Sequence, residues 1–420
     1  MTPSAQDGIG FSTRFPALWY LDKHTANTSD RLRCPIVELP GSNLNFGFMR
    51  YGQWWRRHRR AFWQQFHQKA IQQYRHIHES ITLIFLEMLL ESPSRLNQLI
   101  RFNFASVMLK TAYDIDVKDE NDLYVQISEE AATGAVTGLV PGKFPVEYLP
   151  FLRHIPPWFP GARSQRLWKK WMAAGERLKN VPFEHAKAKL VLSVEDEEII
   201  KNVGAVIFEG MFLGVSLHPE VLRKAHAELD AVVGPYRMPN FGDRDSLVYV
   251  NAIIKESMRW HSVLPLGIPH ATVADDEFRG YFIPAGTMLL ANTWACMNDP
   301  EVYDDPDVFR PERFIRDGKL DRKTVRDPSA FVFGYGRRIC PGRYFAEDTV
   351  FISVARILHV FDITPPVGED GRPIKIEHVC SDTFVSYPED FRCTIKARSA
   401  AAEALIRACA AEVRAGQTKE

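Results

Sequence analysis

The sequence predicts a mainly α-helical protein with a minor β region. Apolar residues recur at the 3.6-residue spacing of an amphipathic helix through residues 51–110 and again through 163–235. After Arg259 the pattern changes, because residues 264–295 are rich in Pro, Gly and β-formers, which is typical of a small sheet with turns. No repeat or low-complexity linker divides the chain, so we expect one domain over residues 1–398. The Ala-rich residues 399–420 then form a C-terminal extension, read as a solvated or loosely docked helix.

The composition is that of a globular protein without a strong charge bias. The chain has 420 residues, of which 45% are hydrophobic and 12% aromatic, enough to bury a large core. Lys plus Arg and Asp plus Glu are both 52, so the net charge is zero and no nucleic-acid partner is expected. Six cysteines without a CxxC pair argue against a disulfide scaffold or a structural zinc site and favour a reducing compartment. The sequence contains no window of about 18 apolar residues, so no transmembrane segment is predicted.

One cysteine lies in an unusual loop, where residues 333–342 read FGYGRRICPG. Gly334 and Gly336 permit a tight turn that brings the backbone close to a ligand. Pro341 is favoured in the first turn of a helix, and an apolar-periodic helix follows, so we expect Cys340 at a helix N-terminus that favours the thiolate. Arg338 adds positive charge beside it. A thiolate held in this way can ligate iron.

This loop resembles the haem-binding signature of the cytochromes P450, FxxGxRxCxG. Its five fixed positions are filled here by Phe333, Gly336, Arg338, Cys340 and Gly342. The resemblance implies a cytochrome P450 fold, a haem-binding catalytic domain over residues 1–398, and Cys340 as the axial metal ligand and catalytic residue. It also implies that Arg338 pairs with a haem propionate.

Two further elements of the family are recognisable around the predicted haem. KESMR places Glu256 and Arg259 at i and i+3 on one helix face, and PERF contains Arg313. The resemblance to the ExxR and PERF elements implies that these three residues form a buried structural network behind the haem, where loss of one partner would be strongly destabilising.

Other haem-binding candidates lie on a basic aromatic segment and near a predicted strand. Trp55 and Arg59 stand at i and i+4 in QWWRRHRR, which resembles the family's WxxxR propionate element. A basic aromatic patch for nucleic acid or membrane is the competing interpretation. The resemblance also makes His270, in LGIPH, a propionate partner. Arg337 and Arg343 are candidates for docking an acidic electron donor.

The sequence departs from the family at three places. Gly210 is followed directly by Met211, without the acid–Thr pair that guides protons to dioxygen, and about ten residues, or about 15 Å of helix, are missing by comparison. Glu209 is a substitute acid in one interpretation, and a helix-surface glutamate in the favoured one. A second gap is expected between Leu190 and Val191, where the family usually has further helical sequence. A third is expected before residue 19, where the family has its membrane anchor and first two strands. The cytochrome P450 fold is therefore expected to be incomplete.

The resemblance implies a monooxygenase that oxidises a hydrophobic small molecule, in the manner of fungal secondary metabolism. Haem, dioxygen and electrons from NADPH through an NADPH–cytochrome reductase are the implied requirements. Residues 263–268 and Phe384 are candidates for the substrate pocket. Two alternatives stay open: a haem-dependent isomerase or dehydratase without oxygen activation, and a catalytically inactive truncated haem-binding product.

The expected location is the surface of the endoplasmic reticulum membrane. The family resemblance suggests this site. The segment 149–162, LPFLRHIPPWFPGA, is apolar and carries Trp158 and Phe159, which suits peripheral contact with lipid. Lining a pocket mouth and packing as a loop on its own core are the competing interpretations.

Overall fold

Helices dominate the computed structural model, which describes residues 16–32, 46–119, 121–138, 143–185, 194–321 and 323–417. The mainly α-helical prediction is confirmed. The α-helices of these residues are α1 (Pro16–Lys23), α2 (Thr25–Thr28), α3 (Gln53–Phe66), α4 (Arg75–Glu91), α5 (Leu96–Tyr113), α6 (Leu123–Gly138), α7 (Arg163–His185), α8 (Val194–Leu217), α9 (Pro219–Val232), α10 (Val248–Trp260), α11 (Thr293–Met297), α12 (Ser329–Val332), α13 (Arg343–Val360) and α14 (Ala400–Gln417).

The β region consists of short antiparallel pairs and not of one small sheet. The pairs are β1 (His270–Ala271) with β4 (Met288–Leu289), β2 (Asp276–Phe278) with β3 (Tyr281–Ile283), β5 (Ile315–Arg316) with β6 (Lys319–Leu320), and β7 (Phe361–Thr364) with β8 (Thr394–Ala397). Between β3 and β4, Pro284 lacks an N–H and Gly286 has φ +79°, so the chain turns before the strands can lengthen and join.

The centre of the molecule is formed by α8 and α13, which pack against each other. Nearly every side chain of α13 is buried, as expected of a helix that is surrounded on all sides. In α8, a Cβ at Gly214 would lie 2.6 Å from the ring of Phe309, so the absence of a side chain there permits close packing. This rigid pair fixes the N-terminus of α13, which follows the cysteine loop.

The C-terminal helix α14 is firmly docked, in contrast to the loose association expected from its Ala-rich sequence. Ile406 and Ala410 are completely buried, and the helix packs mainly on α4. Because residues four apart lie on the same helix face, these two side chains pack against the core from one side of α14. Arg407 also lies 3.7 Å from Glu91 of α4.

Candidate functional site

The cysteine loop is closed by its own backbone. It follows α12, and the N–H of Cys340 donates to the carbonyl oxygen of Phe333 over 2.7 Å. Gly336 has φ +54°, and a Cβ there would lie 2.7 Å from Cγ2 of Thr25 and 2.8 Å from the carbonyl oxygen of Leu21. Both the backbone conformation and the packing against α1 and α2 therefore require glycine at position 336.

Helix α13 begins slightly later than the sequence predicts. Gly342 is its N-cap, with non-helical φ and ψ of −90° and 11°, and its carbonyl accepts the first helical hydrogen bond, from Ala346 over 2.9 Å. Pro341 therefore precedes the helix, and its predicted place in the first turn is wrong. Cys340 lies two residues before the N-cap, so it still adjoins the positive end of the helix dipole.

Cys340 lines a cavity of about 820 Å³, including its open mouth. The cavity brings together residues from distant parts of the sequence, and Leu264 and Ile268 of the predicted substrate segment are among them. The lining residues are Arg31, Phe46, Gly47, Trp55, Leu264, Gly267, Ile268, His270, Thr293, Phe331, Val332, Phe333, Gly334, Tyr335, Arg338, Cys340 and Pro341. Phe384 is not among them and instead packs against Phe48, with ring centroids 6.4 Å apart.

Two buried arginines form a cationic wall of this cavity. Arg338 donates to the backbone carbonyls of Ser29 and Met49, each over 2.7 Å, and burial lowers its pKa to about 10. Arg31 also donates to carbonyl groups, and burial together with the charge of Arg338 holds its pKa well below the usual range. Two like charges in a buried site favour an anionic ligand. Arg31 was missed in the sequence, where it carries no distinguishing motif.

Trp55 and Arg59 of α3 approach the same region. The Trp55 ring lies 4.4 Å from the Arg338 guanidinium, and its buried Nε1–H has no hydrogen-bond partner among the described residues. Nη1 of Arg59 donates to the carbonyl of Ile339 over 2.5 Å, beside the cysteine. A buried donor left without an acceptor costs about 1–3 kcal/mol, so Trp55 is suited to an incoming acceptor group.

His270 completes the polar side of the cavity. Its Nδ1–H donates to the carbonyl of Thr28 over 2.7 Å, and burial lowers its pKa to about 2, so the ring is neutral. A thiol, two buried cations, an unsatisfied donor and apolar walls around one cavity match the chemistry of haem, whose iron takes a thiolate and whose propionates take cations and N–H donors. The residues present therefore fit the cofactor.

Glu256, Arg259 and Arg313 are brought together in one network. The carboxylate of Glu256 accepts from Nη2 of Arg259 over 2.7 Å and from Nε of Arg313 over 3.1 Å. The backbone N–H of Arg310 donates to it over 2.9 Å. The side chains of Glu256 and Arg259 are fully buried, so their charges are compensated within the protein.

The interpretation of Glu209 as a helix-surface residue is wrong. Helix α8 runs without interruption through Gly210 and packs against α5, α10 and α13, so this part has no solvent face. Glu209 is 1% exposed, and neither carboxylate oxygen has a hydrogen-bond partner in the described parts of the chain. Burial raises its pKa to about 7. Among the described residues, none of α8 lines the Cys340 cavity, and the Leu190–Val191 junction lies outside them.

A second cluster, outside this cavity, was not anticipated. Nδ1 of His261 lies 3.0 Å from Nε2 of His378, and the Sγ of Cys380 lies 3.7 Å from each of these nitrogens. The two histidines are 117 residues apart, so no local motif indicates the cluster. Cys380 is not part of a disulfide.

Comparisons with known proteins agree with this geometry. The family model for cytochrome P450 matches residues 192–392. The cytochrome P450 monooxygenase COX2 of Coprinopsis cinerea is 37% identical over 94% of this chain and 81% of its own length. Tryptamine 4-monooxygenase of Psilocybe cyanescens is 37% identical over 90% of the chain and 81% of its length. The cytochrome P450 monooxygenase ple1 of Rhodocybe pseudopiperita is 36% identical over 89% and 77%. The chain therefore belongs to the cytochrome P450 family of haem-thiolate monooxygenases.

Proposed function

We propose that this chain uses haem ligated by Cys340 to oxidise a hydrophobic small molecule of fungal secondary metabolism. The observation that carries the proposal is the convergence of Cys340, Arg338, Trp55 and His270 on one cavity. When bound, haem supplies the activation of dioxygen and the transfer of one oxygen atom to the substrate. We propose residues 1–398 as the catalytic domain.

The residues of the chain divide the work of holding the cofactor. The Cys340–Phe333 backbone hydrogen bond fixes the thiolate ligand in place. Arg338, Trp55 and Arg59 are the proposed partners of the propionates, through charge-assisted and neutral hydrogen bonds. His270 donates its Nδ1–H to Thr28, so it can join them only with Nε2 protonated as well, a state that the negative charge of a propionate favours. Glu256, Arg259 and Arg313 hold the supporting structure and do not touch the cofactor.

The substrate is proposed to be apolar. Leu264 and Ile268 contribute to the cavity wall, together with Phe331 and Val332. Such walls bind a ligand through burial of apolar surface, which fits a terpenoid or polyketide. An isomerase or dehydratase is not favoured, because the relatives compared above are named monooxygenases. Product formation without NADPH and a reductase would support that alternative.

An acidic NADPH–cytochrome reductase is the proposed electron donor. Arg56, Arg57 and Arg60 of α3 are exposed, and so is Arg337 of the cysteine loop, whose Nη1 donates to the hydroxyl of Tyr51 over 2.7 Å. Opposite charges accelerate the encounter of two proteins and orient them. Arg343 is only partly exposed and donates to the hydroxyl of Tyr344, so we propose that it contributes less to reductase docking than the exposed arginines.

Peripheral contact with the endoplasmic reticulum membrane is proposed through segment 149–162. Phe151, Trp158 and Phe159 are 63%, 79% and 47% exposed, and aromatic residues favour the lipid–water interface. Across the described ranges, no single helix has the length and apolar character to cross a bilayer. Residues 204–217 of α8 pass that test only together with α9, at a bend of 104°.

The carbon monoxide difference spectrum of the reduced protein tests the ligand assignment. The unsubstituted chain is expected to show a Soret band at the position typical of thiolate-ligated haem. Cys340→Ala should abolish this band, because no thiolate then reaches the iron, whereas Cys409→Ser on α14 should keep it. Survival of the band in Cys340→Ala would refute the assignment, and failure of the unsubstituted chain to incorporate haem would refute the proposed function.

A further inference from the structure

We propose that His261, His378 and Cys380 form a binding site for a zinc ion, separate from the haem site. Their three ligand atoms converge on one point: the two imidazole nitrogens are 3.0 Å apart, and the sulfur is 3.7 Å from each. A tetrahedral zinc ion with N and S ligands keeps those atoms about 3.3–3.6 Å apart, given Zn–N bonds of about 2.0–2.1 Å and a Zn–S bond of about 2.3 Å. The cluster therefore needs only small adjustments to take the ion.

The proton on His261 is already placed for metal binding. Its Nε2 lies 2.9 Å from the carbonyl oxygen of Ser386, and because a carbonyl can only accept, Nε2 carries the proton. The lone pair of Nδ1 then faces His378 and Cys380. A backbone carbonyl that accepts from the second ring nitrogen is the usual orienting partner of a metal-bound histidine.

His378 and Cys380 are held on a short turn that faces the end of α10. The ring of His378 stacks on Trp260, with centroids 3.8 Å apart, and Cys380 forms an antiparallel bridge with Pro388. Cys380 is exposed, so an ion can enter from solvent, whereas His261 is fully buried. Three protein ligands leave a fourth coordination position for water. The donor set of two imidazoles and one thiolate suits zinc better than magnesium or calcium, which take oxygen ligands.

The ion would join two segments that are far apart in sequence. His261 directly follows α10, and the N–H of Ser386, near Cys380, donates to the carbonyl of Val263 over 2.8 Å. Zinc would reinforce this backbone hydrogen bond and the one between His261 and Ser386 by cross-linking residues 261 and 378–380. The segment after α10 leads into Leu264 and Ile268 of the haem cavity wall, so the proposed ion fixes the base of that wall.

Zinc binding to the haem-loaded full chain tests the proposal. The protein is incubated with zinc chloride, desalted, and analysed for zinc and iron by mass spectrometry, and the zinc K-edge X-ray absorption is recorded. We expect one zinc ion per chain with sulfur and imidazole in its first shell. His378→Gln and Cys380→Ser should each weaken zinc binding by at least about tenfold, because each removes one of three ligands. Cys409→Ser is the matched control and should bind zinc normally.

Haem content and the circular dichroism spectrum, measured without zinc, establish that the variants are folded. Folded His378→Gln and Cys380→Ser chains that bind zinc as well as the unsubstituted chain would overturn the proposal, and so would a bound ion without a sulfur neighbour. If the variants do not fold, iodoacetamide labelling of the unsubstituted chain decides the matter. Zinc should then protect Cys380 and leave Cys409 reactive, and equal labelling of Cys380 with and without zinc contradicts the site. Each of these results is independent of whether the haem is catalytically active.

Discussion

Two buried glutamates in this protein have opposite surroundings. Glu256 of α10 is fully buried and accepts hydrogen bonds from two guanidinium groups and a backbone N–H. Glu209 of α8 is 1% exposed, and neither of its oxygens has a hydrogen-bond partner within the described residues. Burial alone therefore does not determine how a carboxylate changes the stability of the folded chain. The donors around it decide, because an ion inside a protein is tolerated only when opposite charges and hydrogen bonds replace its lost hydration.

The largest effect is expected at the satisfied carboxylate. Glu256→Gln removes the negative charge between Arg259 and Arg313 and leaves two cations buried together, so we expect the free energy of unfolding to fall by about 3–5 kcal/mol. Guanidinium chloride unfolding followed by circular dichroism measures the change. Glu277→Gln, at an exposed position of β2, is the control and should change stability by less than about 0.5 kcal/mol. Equal effects of the two substitutions would show that the buried network is not stabilised by its charge.

At Glu209 we expect pH dependence in the opposite sense to that of an ion-paired carboxylate. Its pKa is raised to about 7 in the folded chain and is about 4.5 when unfolded, so its favourable protonated state is fully available below pH 4.5. As the pH rises through 7, the carboxyl must ionise inside the folded chain and this stability is lost. The free energy of unfolding is then lower by about 3 kcal/mol than below pH 4.5, since each pKa unit corresponds to about 1.4 kcal/mol.

The measurement is the difference in unfolding free energy between the unsubstituted chain and Glu209→Gln, taken at pH 5 and at pH 8. Gln is uncharged at both values, so the difference should move in favour of Glu209→Gln as the pH rises. A difference that does not change with pH would mean that Glu209 finds a partner in solution.

The smallest effect is expected at an exposed carboxylate that does have a partner. Glu403 of α14 accepts from Nη2 of Arg407 over 3.0 Å, but both side chains are nearly half exposed. Water screens such pairs, so Glu403→Ala should lower the free energy of unfolding by no more than about 0.5 kcal/mol. Thermal unfolding at low and high salt measures this. If Glu403→Ala lowered the free energy of unfolding as much as Glu256→Gln, an ion pair would stabilise the chain equally whether exposed or buried, which would contradict this comparison.

The two glutamates also differ in how far the sequence predicts their surroundings. Glu256 belongs to a local KESMR motif, and a spacing of three residues on a helix places its partner Arg259 on the same face. Nothing near Glu209 in the sequence indicates whether its helix face meets solvent or protein. The surface position was the reasonable interpretation, and packing of α5, α10 and α13 around α8 overturned it.

The haem cavity shows the same division. The cysteine loop and the Trp55–Arg59 pair are short patterns whose chemistry is legible in a few neighbouring residues. Arg31 has no such pattern, and only the folded chain shows that it lies buried beside Arg338. The docking of α14 was likewise hidden, because an Ala-rich helix has the same sequence whether its Ile406 faces water or a groove on α4.

By itself, the sequence determined the mainly α-helical class, the cytochrome P450 resemblance and the identity of the thiolate candidate Cys340, because periodicity and motifs are local properties of the chain. Only the tertiary structure decided the fate of Glu209, the cationic wall formed with Arg31, and the meeting of His261 with His378 and Cys380. These depend on contacts between residues far apart in sequence. Such contacts are set by how helices pack, which no spacing within a single segment encodes.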